Sequence, residues 1–165
     1  ARSKVDRGGT KRFEWVLTPF FAAAMLAVPV VGGLDWRLEW ASLPWWTLGP
    51  GLVLVVLGNL GIVWSMVHNR HLEKTVRIQE ERDHQVISTG PYALVRHPMC
   101  VAVSVQYLGI PLVLGTAWAL VPALALILVL VIRTGFEDAT LQRELPGYAK
   151  FARDKTRYRL VPGLW

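Results

Sequence analysis

The sequence predicts an all-α fold: a polytopic membrane helix bundle of about four transmembrane helices, two of them a tight hairpin, plus a C-terminal interfacial helix. Three observations carry this. Hydrophobic residues make up 53% of the 165 positions, and the mean hydropathy is +0.35. Charge is kept out of long apolar runs and gathers between them. Four of the eight tryptophans, Trp36, Trp40, Trp45 and Trp46, crowd one short stretch, as expected of indoles at a headgroup layer. The net charge of +6 does not point to nucleic acid, because a nucleic-acid binder has no use for long uncharged runs. Cys100 is the single cysteine, which rules out an internal disulfide and reads as a small apolar filler. No convincing small-residue cleavage site follows the first apolar run, so a cleavable signal peptide is not expected.

The elements follow in order. Residues 1–12 hold Arg2, Lys4, Arg7, Lys11 and Arg12 against Asp6, the makings of a basic cytosolic arm near anionic lipid. Residues 13–165 form a single integral membrane domain, with its site-bearing core at about 76–165. Residues 15–31 are the first span; Pro19 and Pro29 sit near its ends, where a lost hydrogen bond costs less. Residues 32–47 read as a loop with Asp35, Arg37, Glu39 and the four tryptophans. Residues 48–67 are the clearest span, with no charge at all. Asn59 is expected to hydrogen-bond across helices there, and Gly58 and Gly61 to allow close packing. Residues 68–90 turn polar with a basic excess, which places them on the side of the N-terminus.

Residues 98–132 carry no charge. One helix of that length would reach ~50 Å, too long for a bilayer. Leu114-Gly115-Thr116 offers the break, so a hairpin of 98–114 and 117–132 is expected. It returns Arg133 to the side of Arg96 and His97 and puts both termini in the cytoplasm. In the tail, Phe136, Leu141, Leu145 and Tyr148 recur at helical spacing, as in a helix lying at the interface, and Pro146-Gly147 interrupts it.

The chemistry concentrates around Gly90-Pro91-Tyr92-Ala93-Leu94-Val95-Arg96-His97-Pro98-Met99. A turn signal precedes two strong polar groups, and Pro98 suits the first turn of the next helix. Polar groups at an apolar mouth are costly unless they bind something. The plainer alternative makes Arg96 a positive-inside anchor and His97 a cap. The hairpin brings this segment to Arg133 and Glu137, which share a helix face by i,i+4 spacing. Such a mixture suits a zwitterionic or cationic ligand: an arginine for carboxylate, Glu137 for ammonium, and the faces of Tyr92, Tyr148 and Phe151 for a sulfonium. No GxxxxGK loop, Rossmann glycine pattern or Ser/His/Asp grouping is present. His68 and His71 have a metal-like spacing but no supporting ligands, so no metal is expected. From residue chemistry alone, the reading ends at a membrane protein with a polar pocket on its cytosolic side.

Two blocks extend it. Val76-Arg77-Ile78-Gln79, Val86 through Tyr92 and Val95-Arg96-His97-Pro98-Met99 form the first; Arg133, Glu137-Asp138, Leu141, Gly147-Tyr148, Phe151 and Arg159 through Trp165 form the second. Together they resemble the isoprenylcysteine carboxyl methyltransferase family and the related phospholipid methyltransferases, as a short member. The resemblance implies an integral membrane enzyme using S-adenosylmethionine and releasing S-adenosylhomocysteine. By matching position, Gln79, His84, Gln85, Val86, Ile87, Tyr92, His97, Pro98, Met99, Cys100 and Glu137 would line the cofactor pocket. Arg133 would bind the acceptor, and Arg96 would support the pocket or the acceptor's negative charge; Arg133, Glu137 and Arg96 make the catalytic set. The acceptor would be a lipophilic or small molecule, first of all the carboxylate of an isoprenylcysteine-like compound. A phospholipid, amine or thiol acceptor, or a membrane scaffold without catalysis, are the alternatives. Membrane lipids are the expected surroundings, with no nucleic acid and no obligate protein partner. Ala93, Cys100, Ala102, Asp138, Pro146 and Tyr158 depart from the family pattern.

Overall fold

The computed structural model describes residues 12–68, 87–145 and 147–165. Its helices are α1 (Arg12–Leu38), α2 (Leu48–His68), α3 (Pro98–Leu114), α4 (Leu120–Glu144) and the short α5 (Tyr148–Asp154). A 3₁₀ turn, Trp45–Thr47, leads into α2, and another, Gly90–Ala93, precedes α3. The described residues are thus helical, as expected. Three stretches, Phe13–Leu38, Trp45–His68 and Leu120–Glu144, are long and apolar enough to cross a membrane. The apolar α3, Pro98–Leu114, is shorter. At 1.5 Å per residue it reaches ~26 Å, just under the ~30 Å of bilayer hydrocarbon. Outward residues such as Leu52, Val56, Leu60, Val121, Leu124 and Leu128 are exposed, the pattern of a bundle whose outer surface meets lipid.

Two boundaries differ from the sequence expectation. The first helix does not stop at residue 31 but runs to Leu38, through Pro19, Pro29 and Gly32-Gly33. In an apolar medium an open backbone group is more costly than a poor helix former, so the helix persists. Gly32 also has a packing reason to be glycine: a Cβ there would stand 2.9 Å from Leu114 Cδ1. Asp35 is therefore a helical residue; it is buried and accepts the Ala41 amide at 2.9 Å, closing the following turn. Trp36, Trp40, Trp45 and Trp46, read from the sequence as an interfacial belt, are all exposed around the turn from α1 to α2.

The second difference lies at the other end. The hairpin turns where expected, with Gly115 in the left-handed region at φ 69°. Leu43 N–H donates to Gly115 O at 2.7 Å, and Ala117 N–H to Ala41 O at 3.1 Å, so the turn is braced by the α1–α2 loop. But α4 does not end at residue 132; it continues unbroken to Glu144. No separate interfacial helix starts at residue 133, and Arg133, Glu137 and Asp138 stand on the same rod as the apolar span. Only α5, seven residues long, follows it.

Close packing of α2 on α3 explains the glycines. A Cβ on Gly58 would lie 2.6 Å from Gln106 Cβ and 2.7 Å from its backbone nitrogen. A Cβ on Gly61 would lie 2.9 Å from Ala102 Cβ. Small residues let the backbones meet, the usual glue between helices in lipid. Asn59 does not bridge helices; its amide donates to Val55 O at 2.8 Å within α2. The helix's own carbonyl, one turn back, is always within reach of such a side chain.

Candidate active site

The segment before α3 is held to the tail at both ends, by main chain at Arg96 and His97 and by a side chain at Tyr92. Arg96 N–H donates to Tyr158 O at 2.9 Å, and His97 N–H to Arg159 O at 3.0 Å. Thr156 Oγ1 donates to Tyr92 O at 2.9 Å. Gly90, at φ 59°, lies so close to the His68 ring at the end of α2 that a Cβ would overlap it. The tail in turn closes on itself, with the amides of Arg159, Leu160 and Val161 all donating to Trp165 O. Two stretches about sixty residues apart are thus zipped together, and this fixes where Arg96 and His97 point.

Asp138 is the centre of what they point at. Its carboxylate is fully buried on α4. It accepts from Arg96 Nη2 at 3.2 Å, Arg159 Nε at 2.8 Å, Tyr148 Oη at 3.0 Å and Gln142 Nε2 at 2.7 Å. Arg96 Nε lies 3.0 Å from Oδ1 but off the hydrogen-bond axis, so the attraction there is one of charge. A buried carboxylate is tolerable only when so thoroughly paired. Arg96 also donates to Ala152 O at 3.3 Å, which ties in α5. Arg159 lies 5.0 Å from the Trp165 ring, a cation–π contact.

His97 joins this cluster to Glu137. Its Nε2 is 3.5 Å from Asp138 Oδ1, and its Nδ1 is 4.0 Å from Glu137 Oε1. Glu137 Oε2 is 3.9 Å from Arg133 Nη1. The four residues named first from sequence, Arg96, His97, Arg133 and Glu137, therefore meet at one end of the bundle, as the hairpin demanded. Pro98 opens α3 at its first turn as expected, with Met99 and Cys100 half-buried beside it. Ile87 and Tyr92 lie in the preceding segment, Tyr92 buried. Gln79, His84, Gln85 and Val86 lie outside the described residues, as do residues 1–11 and Pro146.

Three placements depart from the expectation. Arg133 does not stand free toward an acceptor: Nε donates to Glu14 Oε1 at 2.9 Å and Nη2 to Glu14 Oε2 at 3.3 Å. Arg96 departs only in part: held by Asp138 and the α5 backbone, it fits the supporting half of its expected role and not the acceptor-facing half. Tyr148 and Phe151 do not offer faces to a sulfonium; their rings pack on each other at 5.7 Å, within a small core with Leu145 and Ala152. That burial, with Asp138 beside it, pushes the Tyr148 phenol well above its ordinary range, so it remains a donor.

Glu14 is the residue that sequence reasoning missed. It is buried at the start of α1, and Thr18 Oγ1 donates to Oε2 at 3.1 Å. In sequence it looks like an ordinary acidic first-turn residue. Its partner is 119 positions away. In the sequence Asp138 is only a departure from the family pattern, and its five neighbours, Arg96, His97, Gln142, Tyr148 and Arg159, reveal the hub.

Beyond Asp138, a cavity of about 410 Å³ opens between Arg96, Arg157, Arg159 and Trp165. Among the described residues the site is therefore bipolar: arginines outnumber carboxylates on this side, and carboxylates outnumber arginines where Glu14 and Glu137 flank Arg133. Among the described residues, no group of three or more His, Cys, Asp or Glu is placed to hold a metal ion.

A family model described as phospholipid methyltransferase matches residues 46–146, well over half of the chain. The chain belongs to the phospholipid methyltransferase family. The match spans α2, α3 and α4, the elements that carry Arg96, His97, Arg133, Glu137 and Asp138, and it bears out the resemblance read from the two blocks. Glu14 and Arg159 lie outside the matched stretch. Among curated relatives, the chain is 30% identical over 132 residues to the cobalt-zinc-cadmium resistance protein CzcN of Cupriavidus metallidurans, covering 78% of this chain and 55% of that protein. It is 27% identical over 134 residues to the nickel-cobalt-cadmium resistance protein NccN of Alcaligenes xylosoxydans xylosoxydans, covering 79% and 57%. The chain thus spans a little over half the length of these relatives.

Proposed function

We propose that the chain is an S-adenosylmethionine-dependent membrane methyltransferase acting on a lipophilic acceptor, with its site and both termini on the cytoplasmic side. The supporting observation is the convergence of Arg96-His97 with Arg133-Glu137 in a bipolar cluster at the end of the span helices. The donor set fits a zwitterion. Among the described residues, Glu137 has only the long contacts at 4.0 and 3.9 Å, so its carboxylate is available to an ammonium or sulfonium. The arginine-rich cavity beyond Asp138 suits a carboxylate.

When bound, the cofactor supplies an electrophilic methyl group. The chain's own part is placement. His97, buried between Glu137 and Asp138, holds one ring orientation. Main-chain bonds fix His97 to the tail, and Arg159 ties the tail to Asp138 on α4; alignment of this kind is worth orders of magnitude in rate. Glu137 can also take a proton from an acceptor that must be neutral to react. Lipid-facing helix surfaces leave a lateral route for an apolar acceptor, while the polar ligand arrives from water.

Titration calorimetry with S-adenosylmethionine in nanodiscs tests this. Wild-type protein should bind, and His97→Ala and Glu137→Ala should each weaken binding at least tenfold, about 1.4 kcal/mol. Folded wild-type protein that does not bind would leave the scaffold alternative. Unchanged affinity in both variants would show the pocket to be elsewhere.

A further inference from the structure

Two polar side chains are buried at the end of the bundle opposite the candidate active site. Asp35 is 2% exposed and Thr116 3% exposed. Asp35 Oδ1 accepts the Ala41 amide at 2.9 Å, but among the described residues Asp35 Oδ2 has no hydrogen-bond partner, and neither has Thr116 Oγ1. The two belong to one knot of chain. A Cβ on Gly32, one turn before Asp35 on the same helix face, would lie 3.5 Å from Thr116 Oγ1. Ala41, whose amide binds Asp35, accepts through its carbonyl from Ala117, next to Thr116. None of the ion pairs among the described residues involves Asp35. Arg37, two positions on, is exposed and points about 200° away around the helix. Residues 1–11 and 69–86 join the bundle at its other end, before α1 and between α2 and α3.

A carboxylate so placed is penalised three times. It is buried, one of its oxygens is unpaired, and it stands in the last turn of α1, at the negative end of the helix dipole. A buried charge of this kind is tolerated when a positive charge pairs with it. We propose that Asp35 and Thr116 hold a monovalent alkali cation. Charge balance sets the valence: one carboxylate neutralises one positive charge, and a divalent ion would leave a buried excess. The donors set the class. A carboxylate oxygen, a hydroxyl and the carbonyl oxygens that a helix end leaves unpaired are hard ligands, suited to a hard ion. Such an ion ties the end of α1 to the turn between α3 and α4. The site stands apart from the methyl-transfer reading and does not depend on it.

Thermal melts in nanodiscs of zwitterionic lipid, at fixed ionic strength, test this. NaCl, KCl or CaCl2 replaces N-methylglucamine chloride, whose cation is too large for a buried site. NaCl or KCl should raise the wild-type melting temperature by about 3 °C or more, saturating as the site fills. Asp35→Asn keeps the shape and removes the charge. It should lose that gain and, with no buried charge left, melt at or above wild type in N-methylglucamine chloride. A merely structural Asp35 would lower the melting temperature equally in every salt, and that result overturns the proposal. Thr116→Val removes a hydroxyl that has no other partner, so it should fold and lose about half the gain or more. Wild-type protein that melts alike in all four salts overturns the proposal, whether or not Asp35→Asn folds. So does a gain in CaCl2 alone, or a full gain kept in Thr116→Val.

Discussion

Replacing Asp138 by alanine should do far more harm than an ordinary polar substitution. The carboxylate is completely buried and is the shared partner of Arg96, Arg159, Tyr148 and Gln142. Arg96 decides the cost. Its side chain is only 8% exposed, so after the change its charge has neither a counter-ion nor water. Removing one partner of such a pair costs about 3–5 kcal/mol. Arg159, at 30% side-chain exposure, can turn toward solvent and adds about 1 kcal/mol or less. A total near 4 kcal/mol should lower the melting temperature by roughly 8–16 °C for a chain of this size. The loss should also be local. Asp138 ties Tyr148 and Arg159 to α4, so the segment from Tyr148 onward should loosen first. Limited trypsin digestion in detergent should cut at Arg153 or Arg157 at least tenfold faster in Asp138→Ala. Asp138→Asn, which keeps the shape, should fall between the two. A melting temperature within about 2 °C of wild type, with an equally protected tail, would refute the view that Asp138 organises this end of the molecule.

Other outcomes follow from the same geometry. Gly58→Ala should force α2 from α3, because the new Cβ meets Gln106 backbone nitrogen at 2.7 Å; a loss of about 1–3 kcal/mol is expected in thermal melts, while Gly33→Ala, with nothing within 4 Å, should melt like wild type. Tyr148 is protonated in the fold at a pH where the unfolded phenol, with its ordinary value of 10.0, ionises. The unfolded state then binds fewer protons, so stability falls as pH rises above about 10, by at most about 1.4 kcal/mol per pH unit from this one group. Tyr148→Phe should flatten that slope in melts between pH 9 and 11; an unchanged slope would mean that the phenol is open to solvent. Trp165→Ala should cost about 0.5–1 kcal/mol through the lost contact with Arg159, read as a small drop in melting temperature.

Much of this protein was legible in its sequence because apolar length and charge segregation act locally. In lipid only a helix or a closed barrel satisfies the backbone, and uninterrupted apolar runs as long as these select the helix. The break at Gly115 follows from a span that is too long and a residue that tolerates positive φ. With the break in place, the meeting of Arg96-His97 with Arg133-Glu137 follows from connectivity alone. The helix ends were less legible. The continuation of α1 to Leu38 and of α4 to Glu144 depends on what packs beside them, which no local propensity contains.

Tertiary structure alone decided how the charges are shared. Nothing in the spacing of Glu14 and Arg133 pairs them, because α1 and α4 are brought together by packing along their apolar lengths. Nothing in Glu137-Asp138 says that the first carboxylate keeps long contacts while the second is buried under two arginines. Adjacent residues on a helix point about 100° apart, so one side chain faces the cleft and the other the tail. Charge pairing is short-ranged and depends on burial, and burial belongs to the assembled bundle.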